Sequence, residues 1–357
     1  MSDLMNTNVQ TNPVSTGPLH VGSVTSTPAQ TLRPLFVLSV VRSGSSLLYA
    51  LLNQHSQIAL LYEGDLPTMQ LFLWGQFRSG GWRERWEFWN QGPSRHGIAI
   101  ESLPANVSDV WEATRLAYQS VARRKQATIW GEKSPFWHDC ALQIAEKFPD
   151  ARFIFLWRDL HGVIGSIAQA AVTELAFSRL LARPANVLLG NEKLRQACDS
   201  LKAQGRLVHE VNYEDLTSST SECMRQMCEF LEIPFEDRIT SLEGADRSAI
   251  CSGQNHALVR ADRIVGERKR AEVLSPDLRA KVDRYLCRWK RRYDCKWPKY
   301  PLELSEGTRP PSLLELWRDQ ITYQSHRVWD KVVILVLHQI RPLIYPKKYV
   351  RRREVVS

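Results

Sequence analysis

The stretch Leu38-Ser39-Val40-Val41-Arg42-Ser43-Gly44-Ser45-Ser46-Leu47-Leu48 places small residues between an apolar run and a segment of helical character. A chain that turns from a strand into a helix leaves its first N–H groups unpaired and partly positive, which suits a phosphate-like anion. Gly44 would let the backbone close on such a ligand, Ser45 and Ser46 would add hydroxyl donors, and Arg42 a fixed charge. The ATP-hydrolysing form of this loop reads GxxxxGK[ST], with a lysine for the terminal phosphates and a hydroxyl for magnesium. The Gly-Lys pair is missing here, so a nucleotide is compatible with the loop but magnesium-dependent hydrolysis of one is not. The alternative reading of the serines is that they cap a helix.

A second anchor lies in Phe155-Leu156-Trp157-Arg158-Asp159-Leu160-His161-Gly162-Val163-Ile164-Gly165-Ser166. Arg158 follows an apolar run, at the strand end where open α/β sheets bind ligands. Ser166 comes eight residues later, about two helical turns on. An arginine there could equally cap a helix or pair with an acid. Taken with the first loop, it makes a second grip on one anionic ligand.

Several apolar runs have the length and composition of buried parallel strands: Leu35–Val41, Ala127–Trp130, Ala151–Trp157 and Arg206–Asn212. Between them Ser45–Gln54, Asp139–Phe148, Leu160–Ala171 and Ser219–Leu231 read as helices. The alternation predicts an α/β chain: a P-loop-like three-layer fold with a mostly parallel central sheet, helices on both faces, and a helical C-terminal extension. The expected organisation is a disordered tail over 1–32, a main domain over 33–297 and a basic helical extension over 298–357. The tail lacks the charged start and apolar core of a signal peptide, which points to a cytoplasmic chain. The longest apolar run near the C-terminus, Val332–Leu337, is too short to span a bilayer.

Composition excludes several classes. The 357 residues are 43% hydrophobic, 24% charged and 9% aromatic, which is ordinary for a globular protein and unlike a disordered, collagen-like or multi-spanning chain. Seven scattered cysteines without a CxxC pair argue against a disulfide framework or a zinc cluster. From Leu258 onward there are 24 Lys and Arg against 12 Asp and Glu, so the net charge of +9 is concentrated in the last third. Such a surface favours anionic partners, or is simply a solvated helical face.

The two loops together resemble those of the sulfotransferases, in particular the branch that carries Arg in the first loop, which includes the tyrosylprotein sulfotransferases and many bacterial enzymes. Further pieces stand in that family's order: Gly131-Glu132-Lys133-Ser134-Pro135 after a strand, Tyr213-Glu214-Asp215-Leu216 at the end of a later one, and Phe230-Leu231-Glu232-Ile233-Pro234 as a helix ending. The likeness runs from about Pro34 to Glu236. It implies transfer of a sulfuryl group from 3′-phosphoadenosine 5′-phosphosulfate (PAPS) to an acceptor hydroxyl or amine, with no metal. By the resemblance, Arg42, Ser43, Gly44, Ser45 and Ser46 hold the 5′-phosphosulfate, and Arg158 and Ser166 the 3′-phosphate. Lys133 matches a lysine beside the phosphosulfate, and Tyr213 a tyrosine that contacts the adenine. Glu63, 21 residues after Arg42, matches the catalytic glutamate of the Arg-type enzymes, with Asp65 as a near competitor. Lys269, in Gly266-Glu267-Arg268-Lys269-Arg270, stands about where other branches grip the 3′-phosphate, but in a different residue order.

The acceptor is not legible: a small molecule, lipid, glycan or protein all fit, while no nucleic-acid-binding module is present. Leu71–Asn90 carries Trp74, Trp82, Trp86 and Trp89 with three arginines, either a packed helix face or an aromatic wall for an acceptor. His96 and His138 read as ordinary polar positions, and His55 as support for the end of the first helix. The basic segment through 331–353 reads as a dimer-forming or core-packing helix, or as a peripheral contact with an acidic membrane. Two other functions compete: a P-loop kinase of a small metabolite, and a non-catalytic basic interaction protein on the same fold.

Overall fold

The computed structural model describes residues 32–64, 106–135, 140–250, 274–294 and 307–325, with a few isolated positions between them. Five parallel strands form the sheet: β1 (Arg33–Ser39), β2 (Ile58–Tyr62), β3 (Ile129–Ser134), β4 (Arg152–Trp157) and β5 (Leu207–Asn212). Their spatial order is β2-β3-β1-β4-β5. The helices are α1 (Ser45–Leu52), α2 (Val110–Lys125), α3 (Ala141–Lys147), α4 (Leu160–Ala171), α5 (Leu175–Leu181), α6 (Ala185–Ala203), α7 (Tyr213–Ser218), α8 (Thr220–Leu231) and α9 (Pro276–Arg292), and 313–325 is also helical.

Strands buried on both faces need apolar side chains at every position, and alternate residues then enter different cores. Phe36, Leu38, Phe153 and Phe155 face a cluster shared with α2, α3, α4, α6 and α9. Leu35, Val37, Ile154 and Leu156 face a second cluster built with α1 and α8. The helix after β1 and the helix after β4 therefore cover opposite faces, and the two strands are neighbours. That divergence opens a crevice at the carboxyl ends of β1 and β4, the topological switch point where open α/β sheets take ligands.

Strand β3 departs from the expected Ala127–Trp130. It starts at Ile129 and runs through Gly131, Glu132 and Lys133 to Ser134, all buried. The charged residues hid it, because a buried strand is expected to be apolar. Their burial is possible because each finds a partner on its own face, described below. Gly131 is needed there: its φ is +154°, and a Cβ would lie 1.8 Å from the carbonyl oxygen of Leu35 on β1. Strand β2 and helices α2, α5 and α6 were not anticipated; α2 begins at an Asp109 cap that accepts from Glu112 N at 2.9 Å. Tyr213 does not end β5, which stops at Asn212, but opens the short helix α7. The residues 1–31, Asp65, the aromatic segment Leu71–Asn90, His96, His138, Lys269 with its neighbours, and 331–353 lie outside the described residues.

Candidate active site

Register puts the sequence's two anchors at one sheet edge. Leu38 pairs with Ser134, Tyr62 with Lys133, and Ser39 with Leu156, so the loop after β1, the end of β3 and Arg158 after β4 emerge together. Helix α1 begins from Gly44 in the left-handed region (φ +94°) with no side chain capping it. A Cβ on Gly44 would sit 2.2 Å from Cδ2 of Tyr213, so glycine serves both the turn and the ring that packs on it.

One network of contacts runs from the loop toward α4. Arg42 Nε donates to Ser166 Oγ at 3.0 Å, and an Arg158 amino group donates to the Arg42 carbonyl oxygen at 3.0 Å. The Arg158 guanidinium lies 4.1 Å from the centre of the Tyr213 ring, which in turn covers Gly44. The structure thus brings Arg42, Gly44, Arg158, Ser166 and Tyr213 into mutual contact from four elements. It also joins residues assigned to the two ends of the ligand: Arg42, expected on the phosphosulfate, bonds directly to Ser166, expected on the 3′-phosphate.

A second network runs toward β2 and β3. Lys133, fully buried, places Nζ 2.7 Å from Glu63 Oε1 and 3.5 Å over the ring of Tyr62. Tyr62 shares a 2.7 Å hydrogen bond with Ser46 Oγ in the loop. On the other face of β3, Glu132 accepts from the Tyr118 hydroxyl of α2. The Glu63 backbone N–H is tied to the Lys133 carbonyl at 2.8 Å. Sequence reasoning missed Tyr62; its signal was an aromatic at the end of an apolar run immediately before the acid. Tyr62→Phe deletes one partly buried hydrogen bond and keeps the ring under the ammonium, so unfolding in urea should show a loss of about 1 kcal/mol.

Arg42 (φ +68°) and Glu63 (φ +50°) both hold left-handed backbone without being glycine. Such a conformation costs an ordinary residue roughly 1–2 kcal/mol and concentrates at functional sites. Buried polar atoms without a hydrogen-bond partner gather here too: Ser39 Oγ, Ser43 Oγ, Arg158 Nε and Glu214 Oε2. Burying such atoms unsatisfied is costly, and the donors among them, Ser39 Oγ, Ser43 Oγ and Arg158 Nε, are what a multiply anionic ligand would satisfy. The residues present therefore fit the phosphate and sulfate groups of the expected donor.

Behind Arg158 lies an acid–base relay absent from the sequence reading. Asp159 caps α4 by accepting from Gly162 N at 2.7 Å, and its own N–H donates to Glu214 Oε1 at 3.0 Å. His161 approaches Asp283 of α9 at 2.7 Å and Asp159 at 3.5 Å. Burial pushes the Glu214 carboxyl up to about 7, against the opposing pull of the Asp159 N–H and Arg158. Burial would lower the His161 value, but bonding to Asp159 and Asp283 outweighs it and raises the group above 6.5. Burial alone would likewise raise Asp159, but bonds from His161 and Gly162 hold it below 3.8, so it stays ionised throughout.

From pH 4.5 to about 7 the folded chain retains a Glu214 proton that the unfolded chain has released, so unfolding free energy falls as pH rises across that window. His161 acts in the same sense: its contribution is complete below 6.5 and is lost as pH rises through its elevated folded value. The Glu214 part has a limiting slope of about 1.4 kcal/mol per pH unit. Urea unfolding of Glu214→Gln should show a shallower decline with pH than the parent over pH 5–7, and identical slopes would refute the assignment.

His55 stands at the end of the first helix as expected, its N–H donating to the Leu52 carbonyl at 3.0 Å, and its Nε2 also meets the Pro234 carbonyl oxygen at 2.7 Å, which ties the end of α1 to the turn after α8. Among the described residues, no helix is long and apolar enough to cross a membrane.

Comparison with known proteins bears on this same stretch. The family model described as Sulfotransferase family matches residues 34–237. Protein-tyrosine sulfotransferase A of Caenorhabditis elegans is 25% identical over 209 residues, covering 57% of this chain and 51% of that protein. The chain thus spans about half the length of this curated relative. The sulfotransferase domain from the curacin biosynthetic pathway superposes with a TM-score of 0.49 at 20% identity, covering 76% of this chain and all of that one. The sulfotransferase domain from the Synechococcus PCC 7002 olefin synthase gives 0.47 at 18% identity, covering 83% and 96%. The matched span opens at β1 and closes just beyond α8, enclosing both contact networks and, apart from Asp283, the side chains behind Arg158, and on that match the chain belongs to the sulfotransferase family.

Proposed function

We propose that the protein transfers a sulfuryl group from PAPS to an acceptor hydroxyl or amine by in-line displacement. The observation that carries this reading is the meeting of the Arg42–Ser46 loop with Arg158 and Ser166 at one sheet edge, where three buried donor groups, on Ser39, Ser43 and Arg158, lack partners. PAPS supplies the activated sulfuryl group and carries a 3′-phosphate. The loop's backbone donors and Ser43 suit the phosphosulfate, while Arg158 and Ser166 suit the 3′-phosphate.

Sulfuryl transfer resembles phosphoryl transfer in that positioning and charge stabilisation do most of the work. Arg42 and Lys133 are the fixed charges for the negative charge that develops on the leaving oxygen. Glu63 is the acceptor's base: Lys133 orients its carboxylate, and one oxygen stays available because the side chain is about one-fifth exposed. Tyr213 steadies Arg158 and is the residue assigned to the adenine. A metal has no role in this scheme.

Calorimetric titration with 3′-phosphoadenosine 5′-phosphate (PAP), in the absence of metal, tests the reading. Micromolar binding, with none for ATP and magnesium, is the expected result. Binding of ATP with magnesium alone would overturn it in favour of a small-molecule kinase.

A further inference from the structure

The helix over 313–325 is fastened to the body through its two acids, with Leu316 and Tyr323 packed against the core beside them. Asp319 is held by Lys281 at 2.8 Å and by the Tyr285 hydroxyl at 2.9 Å, Glu315 by Arg284 at 2.9 Å, and Tyr323 is buried beneath Lys193. A surface helix ordinarily turns its apolar residues inward; this one buries only a narrow seam of them. Leu313, Leu314, Trp317 and Ile321 point outward, with Leu313 85% and Trp317 64% exposed. At 100° per residue the four fall within about one-third of the helix circumference. A contiguous outward apolar stripe marks an interaction surface.

Charge identifies the partner. Both acids of this helix, Glu315 and Asp319, are turned inward in ion pairs, while Arg318 and the preceding Arg309 are exposed. The outward face is therefore apolar and cationic with no acid of its own, and the chain from Leu258 onward carries twelve more basic than acidic residues. Two copies of such a face repel each other. An anionic bilayer surface satisfies both features: tryptophan and leucine enter the headgroup boundary while arginines meet the lipid phosphates. We propose that this face seats the protein on an anionic lipid surface, an inference independent of the reaction assigned above.

Co-sedimentation of the full chain with vesicles tests it. Vesicles of phosphatidylcholine with phosphatidylserine should carry the protein down, and vesicles of phosphatidylcholine alone should carry far less. Trp317→Ala should weaken the partitioning about ten-fold by removing apolar area alone, and Trp317→Glu further. Ser221→Glu, an equal charge change in the first turn of α8, should leave it unchanged. Both positions are exposed, so the melting temperature of all three variants should stay within a degree or two of the parent, which shows that folding is intact. Equal binding to neutral vesicles, no binding to either, or insensitivity to Trp317 would each overturn the proposal. So would a doubled mass in light scattering without lipid that Trp317→Glu reduces to a monomer, because the face would then belong to a second copy.

Discussion

Lys133→Met lowers the turnover of PAPS about a thousand-fold, read as PAP formed, while PAP affinity falls by less than ten-fold. Methionine keeps most of the buried volume, so packing around Tyr62 survives and the loss reports on charge. The ammonium is wholly enclosed, 2.7 Å from Glu63 and 3.5 Å from the Tyr62 ring. In so dry a place a positive charge aimed at developing negative charge is worth far more than in water, and deleting one such group costs about 100- to 1000-fold. The substitution also frees Glu63 from its ion pair, which removes the orientation of the proposed base and places the effect at the upper end. Pre-steady-state turnover with PAP calorimetry on the same preparation separates the two quantities. A variant with normal turnover and weakened PAP binding would make Lys133 a binding residue and remove it from the chemistry.

Arg158→Ala reduces PAP affinity by about a hundred-fold or more, and leaves affinity for adenosine 5′-phosphate, which lacks the 3′-phosphate, within a few-fold of the parent. A charge-assisted hydrogen bond to a phosphate contributes about 1.5–3 kcal/mol, and a guanidinium can make two. Arg158 also donates to the Arg42 carbonyl and lies on Tyr213, so its removal could act through the loop instead. The comparison of ligands decides: collapse of the loop would weaken both nucleotides together, whereas loss of a phosphate contact weakens one. Arg158→Lys should recover only part of the affinity, because an ammonium keeps the charge without the planar fork. Equal losses for the two nucleotides would refute the 3′-phosphate assignment.

Strands β1 and β4 were legible because uninterrupted apolar runs have few alternatives in a chain of this composition, and the Ser/Gly loop between β1 and α1 followed from its residue types. Strand β3 was half hidden by Glu132 and Lys133, since local sequence carries no sign that Tyr118 and Glu63, from distant segments, will offset the burial of those charges. Tyr62 and Glu214 escaped notice for the same reason. A tyrosine becomes a bridge only when Ser46 and Lys133 are brought to its two sides, and a glutamate becomes half-protonated near neutrality only when packing removes its water. The orientation of the helix over 313–325 was equally beyond local pattern, because ion pairs to α9 select Leu316 and Tyr323 for the core and leave Leu313 and Trp317 outside.

Sequence by itself determined the alternation of β1, β4 and β5 with α1, α4 and α8, the strand-to-helix turn around Gly44, and the residue types available for the proposed sulfuryl transfer. These depend on side-chain pattern and backbone preference within a few residues, which are local and therefore readable. Tertiary structure alone decided that Arg42 would touch Ser166 across 124 residues of chain, that Lys133 would lie against both Tyr62 and Glu63, and that Glu214 would sit behind Arg158. Those juxtapositions arise from parallel pairing of strands far apart in the chain, and burial at their common edge gives the charges their strength.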